Sequence, residues 1–235
     1  MASAQFLLEA GHPRVVGSFG SLLDLREATV AAVRESCDIA EVRLDLLFGT
    51  SESLPWGHLA EIPLLFTARR SGEGGAQDLD AAARVALLRD VLDQAAWLDI
   101  EVASISEMAG FLEELAARKI PWLASYHDFE KLPNTAVLVQ AAQHAKAAGA
   151  AVFKAAAKLA SPADVARLAE FQLADHGLPV ATMGMGPLAP VSRLLCAQCG
   201  SVLNYGYLGK TATAPGQWDS ASLKNAISRL ASFSL

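Results

Sequence analysis

Apolar and β-branched residues collect into eight short segments along the chain, at 14–19, 39–44, 63–68, 97–102, 121–126, 150–155, 179–183 and 201–205. Each is nearly continuous in its apolar character, the pattern of strands buried on both faces of a parallel sheet. Between them run stretches whose alanine content favours helix, at 22–36, 54–60, 78–95, 105–118, 135–148, 162–176, 191–199 and 220–232. Ser161 followed by Pro162 reads as an N-cap with proline at the first helical position. Strict alternation of strand and helix, repeated eight times, predicts an α/β fold in the form of a closed (β/α)8 TIM barrel, with an open doubly wound sheet as the alternative. No repeat, low-complexity tract or linker divides the sequence, so residues 1–235 are expected to form a single domain.

Polar residues interrupt this pattern at particular places. Glu41, Arg43 and Asp45 close the second segment, Arg69 and Glu73 follow the third, Asp99 and Glu101 lie in the fourth, and the fifth and sixth end in His127 and Lys154. A barrel gathers the C-terminal ends of its strands around one cavity, so these positions predict a ring of charge at a single site. Composition then narrows the setting. With 52% hydrophobic residues in a chain of 235, a large core can form. The start, MASAQFLLEAGHPR, lacks a basic end followed by a long apolar run, and charges break the later runs before they could span a bilayer. A soluble, cytoplasmic protein without a membrane partner is expected. A net charge of −6 without a run of Lys or Arg argues against a nucleic-acid partner, and an anionic ligand would need its own local arginines. Of three cysteines, Cys196 and Cys199 stand at i and i+3 of a helix, which predicts a small buried patch and supplies too few ligands for a structural zinc site. No metal is expected.

Lys154 and His127 are the most informative pair. A lysine with its ordinary pKa of about 10.4 is almost entirely charged at neutral pH. Burial at a strand end, near Arg43 or Arg69, would lower that value and make the amine a nucleophile toward a ketone or aldehyde. The resulting iminium acidifies the adjacent carbon, and His127 is the base placed to take that proton, with Glu73 a candidate to orient its ring. His12, His58, His144 and His176 read as ordinary structural histidines. Glu41 and Arg43, two apart in a strand, share a face: they either hold polar groups of a ligand or form an ion pair inside the barrel. Met183 and Met185 would place two thioethers on one side of the cavity, and Arg193 beyond them is suited to a bidentate grip on a carboxylate. Lys158, a competing amine, is expected beyond the strand in the turn that leads to Ser161.

These segments resemble the type I 3-dehydroquinate dehydratases over nearly the whole chain. EVRLD (41–45), FTARRSGEGG (66–75), SYHDF (125–129), VFKAAA (152–157), TMGMGPLAPVSR (182–193) and TATAPGQ (211–217) match the family's motifs in order and with similar spacing. The resemblance implies a (β/α)8 barrel, frequently dimeric, that dehydrates 3-dehydroquinate to 3-dehydroshikimate on the shikimate route to chorismate and the aromatic amino acids. It implies Lys154 as the imine-forming residue, His127 as the general base and acid, and Glu73 as the group orienting it. Ser18, Glu41, Arg43, Arg69, Arg193, Thr213 and Gln217 would bind the substrate, and no cofactor would be required. The chain departs from the family in three ways: Thr213 stands where serine is frequent, Ala155 follows the lysine where isoleucine is usual, and the stretch between Lys154 and Met183 is short. Another class I Schiff-base lyase, such as an aldolase, or a non-catalytic paralogue binding a quinate-like ligand are the alternatives.

Overall fold

The computed structural model describes residue 8, residues 12–47, residue 49 and residues 55–231. The stretch read for a leader lies mostly outside the described residues, as do the start of the helix expected at 54–60 and the end of that expected at 220–232. The eight apolar segments form parallel strands: β1 (Arg14–Phe19), β2 (Ile39–Arg43), β3 (Leu64–Thr67), β4 (Trp97–Glu101), β5 (Trp122–Asp128), β6 (Val152–Lys158), β7 (Val180–Met185) and β8 (Leu203–Leu208). They pair in the order β7-β6-β5-β4-β3-β2-β1-β8. The two ends of that order are joined as well, where the Val202 N–H donates to the Val180 carbonyl at 3.2 Å and the Thr182 N–H donates to Ser201 Oγ at 3.3 Å. With helices outside, this closure makes a (β/α)8 barrel and excludes the open doubly wound sheet.

Because side chains alternate along a strand, each strand feeds two cores. Val16, Ile39, Leu65, Leu123, Val152 and Leu203 pack inside the barrel at the N-terminal ends of the strands. The intervening residues, among them Val42, Phe66, Leu98, Ile100 and Phe153, face the helices. Register then decides which inward residues become neighbours higher up: Ser18 lies beside Glu41, Thr67 beside Asp99, Glu101 beside Ser125, and Ser125 beside Lys154. The interior is therefore apolar below and polar above.

The helices follow the expected order with shifted ends. The stretch 22–36 is two helices, α1 (Leu22–Glu27) and α2 (Val30–Ser36), because Thr29 is extended and its hydroxyl caps α2 by accepting from the Ala32 N–H. That local bond competes with continuing one helix through a β-branched residue. Leu44–Leu47 forms a short α3, and Gly57–Leu59 a single 3-10 turn. Of the stretch 78–95, only Ala81–Arg89 is helix α4: Asp80 caps its start, and beyond it Val91 and Leu92 bond three residues back in tighter turns. Helices α5 (Ala109–Arg118), α6 (Thr135–Ala147), α7 (Pro162–Leu173), α8 (Ala189–Gln198) and α9 (Ser220–Ala231) complete the outer layer. The expected Ser161–Pro162 start of α7 is present, with Asp164 completing a reciprocal capping box.

Four strands run past their expected ends: β7 reaches Met185 and β8 Leu208, and β5 and β6 lengthen at the mouth of the barrel. The β5–β6 ladder continues through His127 beside Ala156, so the histidine is part of the strand. The β6–β7 ladder continues to Lys158 beside Met185, so Lys158 ends the strand instead of lying in the turn, and its side chain is exposed. Cys196 is buried on α8 with its thiol pushed up to about 11 by burial, whereas Cys199 stands half-buried at the helix's C-cap, so the buried patch expected of the pair is made by Cys196 alone. Gly206 faces α9, and a Cβ there would lie 2.5 Å from the Ser220 Cα. Gly206→Ala should therefore destabilise the fold by about 1–3 kcal/mol, since backbone must move to admit the methyl group. Urea unfolding measures this, and an unchanged midpoint would contradict the close seating of α9 on β8.

Candidate active site

The ten residues given catalytic or substrate-binding roles from the sequence line one recess of about 500 Å³, which includes solvent at its mouth, at the C-terminal ends of the strands; Asp45, Asp99 and Glu101 of the expected ring of charge lie behind its wall. Its base is the polar upper half of the barrel interior. Lys154, 4% exposed, projects inward from β6 and donates from Nζ to Asp99 Oδ2 at 3.0 Å. Asp99 also takes two bonds from Arg69, Nη1 to Oδ1 at 3.0 Å and Nη2 to Oδ2 at 2.8 Å, together with one from the Ser125 hydroxyl. Arg69 Nη1 reaches Glu101 at 3.0 Å, and Glu101 is shared with buried Arg84 of α4 at 2.8 Å. Burial by itself would raise the pKa of Asp99, but the Arg69 and Lys154 charges override it and hold the carboxyl well below the usual range. Burial also lowers the pKa of Lys154; Asp99 opposes that shift and Arg69 adds to it. The amine thus loses its proton more readily than a surface lysine while keeping one carboxylate as partner.

His127, from the end of β5, meets Glu73 across the pocket. Glu73 Oε2 lies 2.9 Å from His127 Nδ1 and accepts the His127 backbone N–H at 2.9 Å. Glu73 sits in a 3-10 turn, Ser71–Glu73, ended by Gly74 at φ 88°, where a Cβ would be 2.8 Å from the Phe129 ring. Only glycine fits there, in a left-handed conformation under a neighbouring ring. Burial pushes His127 well below 6.5, with the Arg69 and Lys154 charges adding to the effect, so the imidazole is neutral at pH 7. Burial raises Glu73 to about 7, against the pull of Arg69. When Glu73 is ionised, Nδ1 carries the proton toward it and Nε2 keeps a free lone pair, the tautomer a base needs.

The remaining wall is built from β1, β2 and the loops. Glu41 accepts from the Ser18 hydroxyl at one oxygen and from Thr67 Oγ1 at the other, the latter at 2.7 Å. Arg43 does not pair with Glu41 as the ion-pair alternative required. It forms a two-pronged bridge to Asp45, at 2.8 and 2.7 Å, and donates to the Gly74 carbonyl. Asp45 in turn accepts from the Arg69 and Ala76 N–H groups, which fixes the loop that carries Glu73. Met183 and Met185 line the pocket together, as their spacing predicted. Over the mouth, Gln217 Oε1 accepts from the Thr213 and Ala214 N–H groups and from the Thr213 hydroxyl, leaving its amide N–H₂ for a ligand. Pro215 of that loop accepts from the Gly186 N–H, docking the loop on the β7–α8 connection.

Arg193 is 2% exposed on α8 and donates from Nη1 to the Tyr205 carbonyl at 2.6 Å. Its Nε has no partner, and no ion pair to a carboxylate is formed among the described residues. Burial lowers it to about 10, which still leaves it charged at neutral pH. Asp99 was expected in the ring of charge but given no role, and Thr67, Ser125 and Tyr205 were not expected at the site. Strand parity could have found them: Asp99 shares a face with Trp97 and Glu101, and Ser125 shares one with Leu123 and His127.

Asp99→Asn should destabilise the protein by about 3–5 kcal/mol at pH 7, because it leaves Arg69 and Lys154 buried beside a neutral amide. The folded-state pKa of Asp99 lies below its unfolded value, so the pair's contribution is present above about pH 4 and is lost as the pH falls below that. Urea unfolding across pH 3 to 8 should accordingly show a shallower acid-side loss in the variant than in the wild type. Equal slopes would remove Asp99 from the linkage.

The model of the type I 3-dehydroquinase family matches residues 18–233. A 3-dehydroquinate dehydratase of Methanocella arvoryzae is 32% identical over 207 residues, covering 87% of this chain and 91% of that protein. The catabolic 3-dehydroquinate dehydratase of Acinetobacter baylyi is 33% identical over 214 residues, covering 85% and 78%. The crystal structure of 3-dehydroquinate dehydratase from Geobacillus kaustophilus shares the fold with a TM-score of 0.84 at 24% identity, over 96% of this chain and 93% of that one. With nearly its whole length matched and its strand-end residues converging on one pocket, the chain belongs to the type I 3-dehydroquinase family.

Proposed function

We propose that the chain is a single catalytic domain, residues 1–235, acting as a 3-dehydroquinate dehydratase: a hydro-lyase that removes water from 3-dehydroquinate through a Schiff base on Lys154. The observation that carries this reading is a buried lysine amine, 3.0 Å from Asp99, sharing one pocket with a neutral histidine. The amine attacks the C3 ketone, and loss of water leaves an iminium whose positive charge Asp99 balances. His127, held through Nδ1 by Glu73, takes a proton from C2 with Nε2, and the electron pair moves toward the iminium. The imidazolium then returns a proton to the departing C1 hydroxyl, and hydrolysis of the iminium releases 3-dehydroshikimate. The iminium is the electron sink, so this sequence requires no cofactor.

Binding divides between two sides of the pocket. Arg193, buried without a carboxylate of the protein to pair with, suits the substrate carboxylate, and the free amide of Gln217 suits the same group from the loop above. Ser18, Glu41, Arg43 and Arg69 form the polar wall for ring hydroxyls, and Thr213 keeps the hydroxyl that ties Gln217 in place. The same reading includes a cytoplasmic homodimer serving aromatic biosynthesis. No helix among the described residues is long and apolar enough to cross a membrane.

Incubation with 3-dehydroquinate should generate the ultraviolet absorbance of a conjugated enone. Borohydride added during turnover should leave one stable adduct, which peptide mass mapping places on Lys154. Lys154→Ala should lose both signals and Lys158→Ala neither, whereas His127→Ala should still form the adduct while turnover drops about 10⁴-fold or more, since the histidine acts twice after imine formation. An adduct without enone would point to another Schiff-base lyase, and neither signal to a binding protein.

Arg193→Ala should raise KM far more than it lowers kcat, equivalent to about 2–5 kcal/mol for a desolvated pair. Arg193→Lys should recover only part, because an ammonium lacks the planar fork. An unchanged KM in the alanine variant would move carboxylate binding to Arg69.

A further inference from the structure

Tyr205 lies on β8 with its side chain turned into the barrel, 3% exposed and lining the pocket. Lys154 Nζ stands over its ring, 4.2 Å from the centroid. Its phenol oxygen is buried and bonds to nothing. Interiors rarely leave a hydroxyl in that state, and where they do inside a pocket, a ligand atom is the natural partner.

We propose that the Tyr205 hydroxyl is the hydrogen-bond donor for the oxygen on the substrate carbon that Lys154 attacks, a role that rests on the Schiff-base reading above. The geometry brings the amine and the unpartnered hydroxyl to the same ring. Nζ lies over the ring face and makes no hydrogen bond to the hydroxyl at the ring's end. A carbon bonded to Nζ is therefore held beside this ring, and its oxygen can turn toward the unpartnered hydroxyl. The chemistry needs a donor there as well: when Nζ adds to the carbonyl carbon, the N–C bond forms and the C=O pair moves onto oxygen. A proton then passes from nitrogen to that oxygen, giving a carbinolamine, while Tyr205 donates its hydrogen bond and keeps its own proton. The groups around Nζ are otherwise acceptors or occupied. Asp99 is an acceptor already bonded to Arg69, Ser125 and Lys154, both oxygens of Glu41 are taken by Ser18 and Thr67, and Arg69 Nη1 is committed to Asp99, Glu101 and Ser125. Burial, with Glu41 and Asp99 adding to it, raises the phenol well above 10, so it remains a donor across the working pH range. The second orphaned donor of the pocket, Arg193 Nε, belongs to α8 and to the carboxylate end.

Tyr205→Phe removes the oxygen and keeps the ring under Nζ. Rapid mixing with 3-dehydroquinate and borohydride quenching should show imine formation slowed by about 10²-fold, the scale of one lost oxyanion donor. Elimination from the preformed imine, and the melting temperature, should stay at wild-type values. A merely structural tyrosine would shift melting without slowing imine formation. A second measurement uses an unreactive ligand: quinate, which carries a hydroxyl at the ketone position, should bind the variant more weakly than wild type, while its 3-deoxy analogue should bind both equally. Imine formation within twofold of wild type, or an unchanged quinate affinity, would overturn the role of Tyr205 alone. Absence of any reducible adduct in the wild type would instead sink the Schiff-base reading beneath it.

Discussion

The interior charge cluster of Arg69, Asp99, Glu101 and Lys154 is the constraint on which the upper half of this barrel depends. An unpaired charge removed from water costs several kcal/mol after relaxation, so once these groups face inward, each must find a partner. Asp99 from β4 binds Arg69 from the end of β3, Ser125 from β5 and Lys154 from β6, so one carboxylate ties four consecutive strand ends together. Glu101 extends the cluster through Arg84 to helix α4 in the outer layer. Apolar residues of the same volume would pack at least as stably. What they could not do is hold the Lys154 amine at a defined place.

The same cluster divides the titrating groups of the site between two roles. Burial lowers both Lys154 and His127, but Lys154 keeps Asp99 at hydrogen-bond distance, whereas His127 lies among the like charges of Arg69 and Lys154. Lys154 is thereby a cation that gives up its proton more readily than a surface lysine, and His127, held at Nδ1 by Glu73, is a neutral imidazole at pH 7. Glu73, raised to about 7, titrates near the working pH and sets which imidazole nitrogen carries the proton. Across the pocket Arg193 shows the opposite arrangement, a buried cation with no acidic partner among the described residues, whose charge an anionic ligand would balance.

Loop docking adds the last part of the enclosure. Gln217 is held by three bonds to a single oxygen, and Thr213 supplies two of them, one from its backbone N–H and one from its hydroxyl, so the methyl group that distinguishes threonine from serine leaves this contact intact. Ala155, the other departure within a motif, faces outward among the core residues under the helices, away from the chemistry. Neither substitution removes a polar group from the pocket.

The barrel, and the polar strand ends that gather at its mouth, were legible in the chain. Continuous apolar strands alternating with alanine-rich helices admit few architectures, and polar residues at the ends of otherwise apolar strands are too costly to be accidental. His127, Glu73 and Lys154 were legible for that reason, and the family motifs added Ser18, Thr213 and Gln217. The pairings came with the assembled barrel. Strand register between β3, β4, β5 and β6 sets which inward residue lies beside which, and no local pattern encodes it, so Asp99 as the partner of Lys154 and Asp45 as the partner of Arg43 emerged with the fold. Strand ends were misjudged where a neighbouring ladder prolonged them, as at Lys158, and one helix was split where the Thr29 side chain competed for the backbone. The empty hydroxyl of Tyr205 lies furthest from the sequence, because a missing hydrogen bond is a property of everything packed around a residue and of nothing in its immediate chain.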